Sequence, residues 1–400
     1  MTISDPQAFP FHETDELHIE PRFEQLRTSE PLCPVRLTHG EPAWLVTRYE
    51  DVKTVLGDPR FSRAEAVARD EPRTRYHRGL AGNILAFDPP EHTRLRRVVA
   101  KAFTARRVEE LRRRAQTIAD GLVDAMAAKG APADLVADFA LPLPVTVICE
   151  LLGVPFEDRT RFRLWSDALL STTRFRPEEV ERYADELSAY MAGLVAERRK
   201  EPRDDLLGVM VAARDEEDRL SEDELVAMGV SVLVAGHETT ASQIPNFVYT
   251  LLGHPDELAR LRADLDLVPQ AVEELMRFVP LGSAGIARYA LEDVELSGGV
   301  VRAGEPVVAS NAAANRDTAV YTCPERLDLT RQEASHVGFG HGPHHCLGAQ
   351  LARMELQVAL RILLERLPGL RLAGTGEDLV WKAGAGVKGL EKMLVTWDAA

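Results

Sequence analysis

Four hundred residues, 45% of them hydrophobic, are ample for a large core, and no linker, repeat or low-complexity block divides them, so one domain over 1–400 is expected. The formal charge of −15 excludes a nonspecific nucleic-acid binder. The acidic opening MTISDPQAFPFHETDE lacks the basic-then-apolar layout of a leader, and no apolar run reaches a membrane span, so a cytoplasmic protein that does not enter a membrane is expected.

Residues 43–52, AWLVTRYEDV, alternate like a strand and then turn helical. After a loop rich in arginine and glycine, 91–128 read as helix, and the run Asp88-Pro89-Pro90-Glu91-His92-Thr93-Arg94-Leu95-Arg96 sets His92 and Arg96 four apart on one face. Nine Lys/Arg residues (94, 96, 97, 101, 106, 107, 112, 113 and 114) stand there against two glutamates, a local reversal of sign. Helical patterns follow at 145–152, 159–171, 178–200 and 222–252.

The last of these opens on a capping box, Ser221-x-x-Glu224, and stops at Gly253-His254-Pro255. About thirty residues span roughly 45 Å, the width of a whole domain, which makes this helix a central element. Pro245 removes the bond to the Ala241 carbonyl, so a bend is expected there. Ala235-Gly236-His237-Glu238-Thr239-Thr240 lies within it. A zinc-protease H-E-x-x-H reading fails, because the second histidine position holds Ala241.

Pro269 opens a shorter helix that Pro280 closes; it carries Glu274-x-x-Arg277, which alone would be an ordinary surface ion pair. From 286 to 310 the texture is β-rich, with a joint at Ser297-Gly298-Gly299, and 370–397 hold further strand-like pieces. The fold class is therefore mainly α with a small β region.

Gly338 to Glu355 reads GFGHGPHHCLGAQLARME. Cys346 ends a glycine-rich loop, and Leu347, Leu351, Met354, Val358 and Ile362 then recur at helical spacing until Pro368-Gly369. A helix N-terminus favours a thiolate, and glycines at 338, 340, 342 and 348 let the backbone lie against something flat. A thiolate beneath a planar ligand is the proximal side of a haem-thiolate iron. His341, His344, His345 and Cys346 make a poor structural zinc set, which needs ligand pairs from separated segments. The other cysteines (33, 149 and 323) form no C-x-x-C pair, and four scattered thiols suit a reducing compartment. A merely buried structural cysteine would not need the glycines.

The pattern Phe339-Gly340-x-Gly342-x-His344-x-Cys346-x-Gly348 resembles the haem-binding signature of the cytochrome P450 family, and the resemblance extends from about residue 40 to the C-terminus. It implies the single-domain cytochrome P450 fold, haem b ligated by Cys346, and propionates held by His92, Arg96, Arg288 and His344. It implies that Ala235 and Gly236 leave room above the haem. Cleaving dioxygen needs two protons in a site that excludes water, so Glu238 is assigned as the acid and Thr239 as the residue holding reduced oxygen and a water. Glu274 and Arg277 match the family's internal pair, with Arg326 expected to complete it as structural support.

The same resemblance implies electrons from a small ferredoxin with an NAD(P)H-dependent reductase, docking on the basic stretch. No nicotinamide or flavin fingerprint is present in the chain itself. Pocket walls would come from 62–87, 165–190, 228–239, 281–287 and 383–391. Small residues at Leu281-Gly282-Ser283-Ala284-Gly285-Ile286 suggest a bulky apolar substrate, as in soluble bacterial members that tailor macrolides and other polyketides. A monomer is expected. Alternatives are a carrier-tethered substrate, a peroxide-driven enzyme, and a degenerate ligand-sensing domain; Glu238, Thr239 and Cys346 argue against the last two.

Overall fold

A computed structural model describes every residue except 1–2, 4, 12–16, 79–81, 101–102, 216–219, 283–284, 375–377 and 399–400. Lys101 of the basic stretch and Ser283-Ala284 of the small-sided segment thus lie outside the described residues.

The 31-residue helix Glu222–Leu252 is buried along most of its length and packs on Pro142–Leu152, Pro177–Lys200 and Ala349–Arg366. Its capping box is complete: Glu224 N–H donates to Ser221 Oγ at 3.1 Å, and Ser221 N–H donates to Glu224 Oε2 at 2.8 Å. The helix runs on past Pro245 without a break. Beyond that proline, Asn246 Nδ2 donates to the Lys388 carbonyl at 3.1 Å, tying this part of the helix to a C-terminal hairpin.

The expected single helix over 91–128 is two, Glu91–Ala100 and Ala105–Lys129. The second restarts at Thr104, whose Oγ accepts from Arg107 N–H at 3.4 Å. Among the helices that lacked a sequence expectation are Arg22–Ser29, Leu206–Asp215 and Pro255–Ala263. Pro255 ends one helical pattern but also suits the first turn of the next, where a missing N–H costs nothing.

The β region is a six-stranded mixed sheet in the order Gln7–Ala8, Leu32–Arg36, Ala43–Val46, Pro306–Ala309, Arg288–Ala290, Phe61–Ser62. Its middle pair is parallel, with Trp44 opposite Val307. Val294–Leu296 and Gly299–Val301 form the hairpin expected at Ser297-Gly298. A second hairpin pairs Val380–Trp381 with Leu390–Lys392. One large helical core and two smaller clusters around the sheet hold the molecule together. Among the described residues no helix is long and apolar enough to cross a membrane.

The cysteine loop lies where these two regions meet. Gly342 sits at φ +71°, and a Cβ there would lie 2.5 Å from the Leu56 carbonyl oxygen and 2.6 Å from Gly57 Cα. Only glycine satisfies both the left-handed backbone and that approach to the helix Tyr49–Gly57.

Candidate haem site

Cys346 closes the loop with its N–H donating to the Phe339 carbonyl at 2.9 Å, and the helix Ala349–Arg366 starts three residues later. Its side chain counts as exposed, yet burial raises the thiol pKa, while the Gly348 N–H and the charges of Arg96 and Arg353 pull it down. Both hold together only if the sulfur faces an internal recess. A Cβ at Gly348 would meet nothing within 4 Å, so that position also borders open space.

Four cationic or imidazole groups converge beside it. The His92 and His344 rings lie 4.3 Å apart between centroids. Burial is the main cause holding His344 down at about 3, aided by His92, Arg288 and Arg63, and its Nδ1 has no hydrogen-bond partner. Burial lowers Arg288 to about 10, helped by repulsion from Arg63. Among the described residues its one hydrogen bond is a 3.3 Å contact to the Ile286 carbonyl. Burial likewise lowers Arg96. Arg63, which had no sequence assignment, is itself satisfied by Glu71 at 2.7 Å and by the Ala287 carbonyl. Positive groups thus outnumber nearby carboxylates in a confined space, an arrangement that favours binding of anionic groups. The two carboxylates of haem fit this donor set.

On the central helix, Ala235 is exposed and Thr239 half-buried although most of their neighbours are buried, so both border open space rather than packed protein. Thr239 Oγ1 donates to the Ala235 carbonyl at 2.9 Å, which leaves its lone pairs free to accept. Gly236 has a second reason for being glycine. A Cβ there would stand 2.5 Å from Ile148 Cδ1, so close packing on Pro142–Leu152 demands its small size, whatever lies above the recess. His237 is fully buried, its Nδ1 2.7 Å from the Leu233 carbonyl, and burial lowers its pKa. Glu238 is buried too, and its carboxylate pairs with Lys382 of the 380–392 hairpin.

Glu274 and Arg277 form a buried bidentate pair at 2.7 and 2.8 Å. The third member is corrected. Arg331, not Arg326, brings its side chain to Glu274, with Nε 3.2 Å from Oε1. Arg326 is exposed and supplies only its carbonyl, which accepts from Arg277 at 3.4 Å and Arg331 at 3.1 Å. The loop folds back through Asp328, whose N–H donates to Glu274 Oε1 at 3.0 Å, and this carries the later arginine inward.

A second support had no sequence assignment. Arg353 reaches Glu273 at 2.7 and 2.9 Å while its guanidinium carbon lies 4.5 Å from the Phe339 ring centroid. One helical turn separates Glu274 from Arg277, but no spacing links Glu273 to Arg353.

The basic stretch is largely neutralised inside the molecule. Arg94 pairs with Glu224, Arg107 with Asp204 and Arg114 with Glu150, while Arg106 and Arg112 hold Glu110 and Glu109. Arg97 and Arg113 are exposed and carry no ion pair among the described residues. No group of three or more His, Cys, Asp or Glu among the described residues is placed to hold a metal ion, which leaves the zinc alternative unsupported.

The recess, its cysteine and its anion-seeking rim define a haem-thiolate protein. The family model described as Cytochrome P450 matches residues 16–368, and the chain belongs to that family, whose cofactor is a Cys-ligated haem and whose reaction is monooxygenation. Mycinamicin IV hydroxylase/epoxidase of Micromonospora griseorubida is 53% identical over 99% of this chain and 100% of its own. Nocardicin C N-oxygenase of Nocardia uniformis subsp. tsuyamanensis is 52% identical over the same shares, 99% and 100%. The solved LnmA cytochrome P450 hydroxylase of Streptomyces atroolivaceus, from leinamycin biosynthesis, superposes with a TM-score of 0.91 at 53% identity, covering 98% of this chain and 100% of that one.

Proposed function

We propose that the chain acts as one monomeric domain inserting one oxygen atom from O₂ into a C–H or C=C bond of a bulky, mostly apolar macrolide or other polyketide. The observation that carries this is Cys346: an accessible sulfur in an interior recess, where burial raises the thiol pKa and the Gly348 N–H and two arginines offset part of that rise, below a helix face bearing Ala235 and Thr239. Haem b held there would supply the activation of O₂. Cys346 binds it, and His92, Arg96, Arg288 and His344 hold its carboxylates. Thr239 orients a water, and Glu238 supplies the proton that this water passes on. The buried helix Glu222–Leu252 excludes bulk water from that step. Electrons would come from a ferredoxin and its NAD(P)H-dependent reductase, docking where Arg97 and Arg113 have no ion pair among the described residues.

The relatives support the substrate class, since one of them is a hydroxylase/epoxidase of mycinamicin IV. One side chain favours an acidic group on the ligand. Arg75, lowered by burial, rests its stem beside Gly386, where a built Cβ would lie 3.2 Å from Arg75 Cδ, and among the described residues no hydrogen bond or ion pair holds its guanidinium.

Type-I spectral titration of the holoenzyme against neutral macrolides, acidic polyketides and terpenoids tests the reading. Neutral or acidic polyketides should displace water from iron, and Arg75→Leu should weaken only the acidic ones. Turnover that runs on peroxide alone and needs neither O₂ nor ferredoxin would overturn it.

A further inference from the structure

The 380–392 hairpin reaches several walls of the recess at once. Gly386 N–H donates to the Leu170 carbonyl at 2.8 Å, at the end of the helix Arg159–Leu169, and Thr172 N–H donates to the Gly384 carbonyl at 2.8 Å. Lys388 N–H donates to the Leu281 carbonyl at 2.9 Å, and its own carbonyl takes the Asn246 bond at 3.1 Å. A Cβ at Gly389 would lie 3.0 Å from Ser242 Cβ, so the hairpin presses directly on the central helix.

From this hairpin Lys382 enters the molecule. Its Nζ binds the Glu238 carboxylate and donates to Ser242 Oγ at 2.9 Å. The Ser242 hydroxyl in turn donates to the Glu238 carbonyl at 2.9 Å. Lys382 and Glu238 have side-chain exposures of 11% and 6%, so this is an enclosed pair, where removing one partner is far costlier than at the surface. Asp167 faces the same group: burial, then the charge of Glu238, lifts its carboxyl to about 6. One ammonium thus stands between a helix-borne acid and a hairpin that touches the ligand-facing segments.

We infer that Lys382 is a positioning residue, a latch that fastens Glu238 to the hairpin, so that the acid can turn toward Thr239 only when the hairpin is displaced. This rests on the reading of Glu238 as the proton source. A ligand large enough to press on Gly384–Lys388 would shift the hairpin, withdraw the ammonium and release the carboxylate. Proton supply is thereby tied to occupancy. Without a ligand the latch stays closed, and the two protons that must join O₂ and two electrons from NAD(P)H to form H₂O₂ are not supplied.

The test uses substrate-free holoenzyme with a ferredoxin, its reductase, NADPH and O₂. Lys382→Met should raise H₂O₂ release by at least about tenfold, within what a positioned proton donor contributes. Lys382→Arg should restore the low rate, and adding Glu238→Gln to Lys382→Met should abolish the increase. Gly386→Ala, which puts a methyl 2.9 Å from the Leu170 carbonyl, should mimic the effect in the wild-type background and add nothing to Lys382→Met. Independently of turnover, backbone amides at 380–392 should exchange faster in Lys382→Met. Thermal unfolding of the two single variants and the double should be non-additive.

Unchanged exchange with additive melting overturns the latch. So does peroxide release that stays high in the double variant. The two readings separate cleanly: a Glu238→Gln enzyme with normal coupling and solvent isotope effect defeats the proton-source role alone. A defective Glu238→Gln beside an unaltered Lys382→Met defeats the latch alone.

Discussion

Arg353 and Glu273 meet through two hydrogen bonds, 2.7 and 2.9 Å long, with the Arg353 guanidinium set over the Phe339 ring of the cysteine loop. Burial pushes the Glu273 carboxyl up, but hydrogen bonds from His336 and Arg353 outweigh it and hold it at about 2. Its folded pKa lies below the unfolded value of about 4.3, so its stabilisation is complete above that pH and is lost as pH falls toward 2. Glu273→Gln should therefore lower the melting temperature at neutral pH and flatten its decline between about pH 4.3 and 2. Melting curves of both proteins across that window check it; parallel acid limbs would refute the assignment.

The exchange of Arg326 for Arg331 has a direct consequence. Arg331→Ala removes one partner from a nearly inaccessible Glu274 and also frees the carbonyls of Thr322 and Arg326, so a loss of about 3 kcal/mol is expected. Arg326→Ala removes only an exposed side chain and should stay within about 0.5 kcal/mol. Urea denaturation of the two variants decides between them.

Gly342→Ala should be more damaging than its size suggests. The left-handed backbone costs an L-residue about 1–2 kcal/mol. The 2.5 Å approach to the Leu56 carbonyl adds overpacking of similar size. Expected are a melting point several degrees lower and faster haem loss to apomyoglobin. Normal haem retention would show that the loop tolerates the shift.

Thr239→Ala removes a hydroxyl that borders open space but leaves the Ala235 carbonyl without that bond. The variant should take up haem normally while NAD(P)H consumption is diverted into peroxide. Full coupling of NAD(P)H to product in Thr239→Ala would exclude Thr239 from the proton path.

Much of this was legible in the chain because the relevant signals are local. The capping box at Ser221, the spacing of His92 and Arg96, the glycines around Cys346 and the turn at Ser297-Gly298 each lie within a few residues of what they determine. What escaped was long-range. The break at Thr104 sits inside a continuous helical pattern, and Pro255 carries both a stop and a start. Lys382 is 144 positions from Glu238, and Arg353 is 80 positions from Glu273, so no spacing rule could pair them. Arg331 displaced Arg326 because Asp328 N–H bends the loop onto Glu274, a tertiary event that local motif matching does not register. The stretch 94–114 has the expected excess of cations, but composition could not tell that Glu224, Asp204 and Glu150 arrive from elsewhere to neutralise three of them.

The glycine-to-backbone contact between Gly342 and the end of Tyr49–Gly57 has a bearing on biosynthesis. The two surfaces lie far apart along the chain, so the helix at 49–57 is made long before the loop that packs on its final turn. The cysteine loop takes its floor only when these distant segments meet, which ties the shaping of a cofactor site around Cys346 to long-range closure rather than to local folding.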